Sequence, residues 1–125
     1  MTEAEFKART KQIAVRVIRL IESLPKTTSA TVIGKQLLRS GTSVGANYRA
    51  ACRAKSTADI IHKLSIVEEE ADESIYWIEL LIETGIEKES RLRSLISEID
   101  EIVAMTVSSI KTLKSKAAAN PKSKI

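Results

Sequence analysis

The feature that most constrains this chain is a recurrence of apolar residues in alternating steps of three and four, carried by four separate segments. At 3.6 residues per turn such positions return to one side of a helix, so each segment offers one stripe for burial. The first stripe is Phe6, Thr10, Ile13, Val17, Leu20 and Leu24. It follows a capping-box outline at Thr2 to Glu5 and is stopped by Pro25. The second, within 31–53, is Ile33, Leu37, Ser40, Val44, Asn47 and Ala51. The third opens at Ser56 and carries Ile60, Leu64, Val67, Ala71, Ser74, Ile78 and Leu81 before Thr84 and Gly85 end it. The fourth is Leu92, Ile96, Ile99, Val103, Thr106, Ile110 and Leu113.

Four helices, over about residues 3–24, 30–53, 57–84 and 89–115, therefore fill 1–116, and the basic stretch 117–125 is expected to be a disordered tail. Short connections force neighbours to run antiparallel, so the predicted fold is all-α: an antiparallel up-down-up-down four-helix bundle. Aromatics at 3% are too few for a β-sandwich. The second segment is the exposed point of this reading, because Gly41 and Gly45 lie inside it. Each interior glycine costs a helix about 1 kcal/mol relative to alanine. The unbroken spacing on both sides favours one continuous helix whose small residues admit a close neighbour; a break near Gly41 is the alternative. The cap of this helix is expected at Thr28 or Ser29.

Catalytic groups are scarce. His62 is the single histidine, so the Asp59-to-His62 step has no second copy with which to build a di-metal bundle site. Cys52 has Arg49 and Arg53 nearby, which favours a thiolate, but no base is implied beside it; a packed small side chain is the simpler reading. The lone cysteine excludes an intrachain disulfide and suits a reducing, cytoplasmic compartment. No apolar run is long enough to span a membrane. The glycine pair precedes no Lys-Ser/Thr step of a phosphate loop. The acids of segment three, from Glu68 to Glu83, read as a solvated face or as partners for basic helices. The expectation is a protein that is not an enzyme and needs no cofactor or metal.

Charge distribution is the stronger lead. Residues 1–55 hold eleven Lys/Arg against three Asp/Glu, residues 56–110 hold four against thirteen, and the last fifteen residues hold five lysines. Arg9, Arg16, Arg19 and Lys26 recur at helical spacing on the first segment, and Lys35, Arg39, Arg49 and Arg53 on the second. Side by side, these stripes would form a basic surface for a nucleic acid, read through its backbone or shape because few aromatics interleave. The alternative is a structural or protein-interaction module in which these cations meet the acidic third helix of neighbouring subunits. Ser40 and Asn47 fall within an apolar stripe and should form, with Ser43, a polar element of the core, Asn47 tying its helix to a neighbour. Tyr76 and Trp77 flank the third stripe and widen its apolar arc, which predicts an oligomer interface.

The run from Gln36 to Ala54 (QLLRSGTSVGANYRAACRA) and the run from Glu70 to Leu81 (EADESIYWIELL) resemble a bacterial family of four-helix bundles encoded in intervening sequences of 23S ribosomal RNA genes. The accessory protein of diversity-generating retroelements is similar. The resemblance covers about residues 5–115 and rests on Arg39, Ser43, Asn47 and Arg49 with Trp77 and Glu79. It implies a bundle assembling into a ring, a pentamer among known members, and association with RNA or a nucleic-acid enzyme. Many members carry an acid three residues beyond the asparagine, where this chain has Ala50.

Overall fold

A computed structural model describes residues 1–119, which form four α-helices and, within that range, no strand. They are α1 (Glu3–Ser23), α2 (Thr28–Cys52), α3 (Thr57–Glu83) and α4 (Glu89–Ala119). Each of the first three starts where a hydroxyl satisfies an otherwise unpaired backbone N–H. Thr2 accepts from the amide of Glu5 at 3.1 Å, Thr27 from Ala30 at 3.2 Å and Ser56 from Asp59 at 3.1 Å. The cap of α2 is thus Thr27, one residue before the expected pair. Gly85, at φ +75°, closes α3 in the left-handed conformation that glycine adopts without a Cβ penalty. Helix α4 runs on to Ala119, so 117–119 are helical rather than the start of a disordered tail. The remainder of the expected tail, 120–125, lies outside the described residues.

Each helix packs on the next and α4 returns to α1, which makes a four-cornered bundle with α1 diagonal to α3. Contacts fix the directions. Gly34 lies against Leu24, Gly41 against Val17 and Gly45 against Thr10, so α2 descends as α1 ascends. Arg39 and Ser40 of α2 meet Glu70 and Ser74 of α3, while Ala51 meets Leu64, again antiparallel. Helix α2 is continuous through its glycines. A Cβ on Gly41 would stand 2.9 Å from Val17 Cγ2, and one on Gly45 would stand 3.2 Å from Thr10 Oγ1. Their absence lets α1 and α2 approach closely.

The core is built from the expected stripes: Ile13, Val17, Leu37, Val44, Val67, Ala71, Ile78 and Leu81 are fully enclosed. In α4 the buried set is Leu92, Leu95, Ile99, Ile102, Thr106 and Ile110. Ile96 and Val103, expected at its centre, are only half-buried flanks. Both sets have three-four spacing, and the choice between them depends on how α4 is rotated against α1 and α3. A smaller cluster of Ala51, Leu64 and Ile110, with Tyr48, Ile60, Ile61 and Leu113 against it, seals the end of the bundle where α2 and α4 finish.

Polar groups inside the core are satisfied. Ser74 Oγ donates to Ser40 Oγ at 2.9 Å across the α2–α3 seam, and Ser40 donates to the Leu37 carbonyl at 3.4 Å. Asn47 does not tie α2 to another helix: half-buried, it donates from Nδ2 to the carbonyl of Ser43 on its own helix at 2.8 Å. Ser43 likewise donates to its own helix, at the Arg39 carbonyl, 2.6 Å away. Within the core, among the described residues, the polar link between helices is the Ser40–Ser74 pair.

Candidate nucleic-acid interface

The eight cations of the two basic stripes do not lie on one surface. A helix turns 100° per residue, and the stripe of α1 falls on its α4 flank, away from α2. Arg9 binds Glu98 of α4 with both ends of its guanidinium, Nε to Oε2 at 2.8 Å and Nη2 to Oε1 at 2.6 Å, and reaches Glu101 at 3.3 Å. This fork is the strong form of the carboxylate–arginine contact. It holds the Glu98 carboxyl below the ordinary glutamate range and tightens the proton on Arg9. Arg16 donates to Ser94 Oγ at 3.2 Å, and Arg19 borders the hollow between α1 and α4 beside Arg91.

On α2 the stripe divides again. Arg39 turns to α3, where it pairs with Glu70 at 2.8 Å and with Glu73. Glu73 also accepts from Trp77 Nε1 at 3.0 Å; that hydrogen bond, then Arg39, holds its carboxyl low. Trp77 is thereby half-buried, whereas Tyr76, set edge-on to it with ring centroids 5.0 Å apart, is 53% exposed. Lys35 and Arg49 stay on the α1/α2 side. A groove of about 470 Å³ between these helices has a floor of Ala8, Ala14, Gly45 and Ala46 and is edged by Lys7, Lys11 and Arg49. Towards the α1–α2 loop it is followed by a hollow of about 340 Å³ edged by Lys26 and Lys35. Arg53 caps α2 and is exposed.

A different grouping of charge emerges along the bundle axis. The start of α1, the end of α2, the start of α3 and the end of α4 share one end. Residues 1–8, 46–65 and 104–119 there hold eight Lys/Arg against Glu3, Glu5 and Asp59. Arg53, Lys55, Lys111, Lys114 and Lys116 are exposed at this end. In the sequence the last three are simply part of the lysine-rich final fifteen residues; the shared end becomes visible once the antiparallel order is combined with the charge blocks.

Among the described residues no group of three or more His, Cys, Asp or Glu could hold a metal ion. Burial raises the pKa of the Cys52 thiol, the reverse of what a nucleophile needs. Burial likewise pushes up the Tyr48 phenol beside it. No described helix is long and apolar enough to cross a membrane.

Comparison with known proteins agrees with this bundle. The sequence model of the 23S rRNA-intervening sequence proteins matches residues 2–108. The chain belongs to that family. Among solved structures it is similar to a protein of unknown function from the S23 ribosomal protein family of Bacteroides thetaiotaomicron. The two are 40% identical, the TM-score is 0.82, and the likeness covers 89% of this chain and 99% of the other. No curated protein matches it. Neither the intervening-sequence family nor this relative carries an assigned activity, so function has to be argued from the surface of the chain itself.

Proposed function

We propose that this intervening-sequence protein is a non-enzymatic RNA-associated adaptor that engages the phosphate backbone with the basic end of its bundle. The observation that carries the reading is the gathering of cations there, eight against three acids, among them Lys111, Lys114 and Lys116 on the last turns of α4. None of these three lysines, nor Arg53 or Lys55, forms an ion pair within the chain among the described residues. They are therefore available to an anion, whereas Arg9 and Arg39 of the original stripes are occupied by Glu98, Glu70 and Glu73. The family's link to ribosomal RNA genes supports RNA as the polyanion.

Counterion release supplies the test. Each phosphate neutralised adds about 0.7–0.9 to the slope of log affinity against log salt. Replacing Lys111, Lys114 and Lys116 together by serine should lower that slope by about two for a structured RNA, measured by fluorescence anisotropy. The same measurement on Arg9→Ser should leave it unchanged. A salt-independent affinity, or a slope insensitive to the three lysines, overturns the reading.

A further inference from the structure

The basic end of the bundle holds a cavity as well as charge. Its volume is about 340 Å³, and all four helices contribute to it. The deep wall is Phe6 of α1, Tyr48 of α2 and Leu64 of α3; Phe6 and Leu64 are buried and Tyr48 is half-buried. The two rings lie with centroids 4.3 Å apart and planes at 40°, so they present one bent aromatic surface. Met105 of α4 forms a further wall. Its sulfur accepts from Arg9 Nη1 at 3.6 Å, so the guanidinium that binds Glu98 also steadies this side. The rim is polar and exposed, with Glu3 on α1 and Ser108 and Ser109 on α4. Lys7 stands beside it, 3.3 Å from the Glu3 carboxylate, and Lys111 follows Ser108 by one turn on the same face of α4. In the sequence few aromatics interleave with the cations; the fold brings a pair of them beneath the basic end.

We propose that this cavity takes one unstacked base of a single-stranded RNA whose phosphates lie on the basic end. The inference rests on the reading of that end as an RNA surface and adds contact with a base to it. The volume is at the small end of the roughly 300–1,000 Å³ typical of ligand cavities, room for one base and not for a run of them. A base is flat and apolar on its faces and polar only at its edges, and the lining divides in the same way. Aromatic rings and a polarisable thioether suit the faces. The serine hydroxyls, which donate and accept, and the Glu3 carboxylate, which accepts, suit the edge. Single-stranded RNA is commonly read like this, by bases splayed out onto aromatic side chains. The phosphates on either side of the inserted base remain outside the rim, where Lys7 and Lys111 lie. Neither a duplex, whose bases stay stacked, nor a polyanion without bases can use the cavity.

Two fluorescently labelled probes of equal length separate base from backbone: decaadenylate RNA, and an oligomer in which abasic tetrahydrofuran phosphates replace every nucleotide. By anisotropy the RNA should bind about five- to a hundredfold tighter, the worth of one base stacked on an aromatic side chain. The two should share one salt dependence, because their phosphates are equal in number. Ser109→Leu, at an exposed rim position, should fill the mouth and cut that advantage to less than about twofold while the salt slope stays. Ser97→Leu, at an exposed site of α4 outside the cavity, should change neither, and circular dichroism should show both variants as helical as the wild type. Equal affinity for the two probes, each falling with salt, overturns the base site and leaves the phosphate reading standing. An advantage that survives Ser109→Leu overturns it too, since the base then lies elsewhere. Binding of neither probe at low salt removes the phosphate reading and this one together.

Discussion

Replacing Gly41 by alanine should destabilise the bundle, although helix propensity alone says the opposite. In an isolated helix the change gains about 1 kcal/mol. Here the new methyl carbon would stand 2.9 Å from Val17 Cγ2 and 3.0 Å from Val17 Cγ1. Valine in a helix has one strongly preferred χ1 rotamer, so Val17 cannot swing aside, and α1 must shift outward instead. Overpacking of this kind costs typically 1–3 kcal/mol, leaving a net loss of up to about 2 kcal/mol. Gly34 is the internal control. A methyl group there would meet Leu24 Cδ1 at 3.4 Å, ordinary contact, so Gly34→Ala should stabilise by up to about 1 kcal/mol. Urea unfolding followed by circular dichroism at fixed protein concentration measures both. Truncating the obstacle in the double variant Gly41→Ala with Val17→Ala should recover part of the loss, giving a coupling energy of the sign that contact predicts. If Gly41→Ala is as stabilising as Gly34→Ala, or if the two changes at 17 and 41 simply add, the close approach of α1 and α2 is not what the small residues provide.

Removing one hydroxyl of the buried serine pair, as in Ser74→Ala, should cost about 1 kcal/mol, while Ser40→Ala with Ser74→Ala should cost less than the sum of the single changes, by denaturant titration. The Glu98 carboxyl is held low by Arg9, so its contribution is full above the unfolded glutamate pKa of about 4.3 and is lost as pH falls through the lower folded value. The drop in melting temperature between pH 5 and pH 3 should accordingly be smaller in Glu98→Gln than in the wild type; an equal drop refutes the linkage. Cys52, its pKa raised by burial, should alkylate with iodoacetamide more slowly at pH 8 than an unfolded control, and a faster rate would contradict the packed environment described for it.

The helices and most of their buried faces were legible in the sequence because period and punctuation are local properties. Ser40 and Ser74 both fell on predicted core stripes, so their meeting could be read as soon as α2 and α3 were known to be neighbours. What periodicity does not contain is handedness. A four-helix ring can run clockwise or anticlockwise, and only that choice decides whether Arg9, Arg16 and Arg19 face α2 or α4. The stripe of α1 therefore turns to α4, that of α2 divides between the α1 and α3 sides, and the two do not merge into one surface. The rotation of α4 was ambiguous for a similar reason, since Leu95 and Ile102 compete with Ile96 and Val103 for the same three-four spacing. Asn47 was misjudged on chemistry: its position suggested a cross-helix tie, yet its amide finds an acceptor one turn back at Ser43. The basic end was hidden because its members come from the termini of all four helices.

The seam between the first and last helices is the least extensive of the four and is bridged at its surface by Arg9 with Glu98 and Arg16 with Ser94. The α2–α3 seam also carries ion pairs, Arg39 with Glu70 and Glu73, but beside them lie the buried Ser40–Ser74 pair and the most extensive helix packing in the bundle. Salt and protons therefore act most on the α1–α4 edge, loosening the terminal helices from each other before the α2–α3 hairpin opens. The bundle should breathe like a book hinged on its middle pair, and amide exchange along α1 and α4 should quicken under conditions that leave α2 and α3 unchanged.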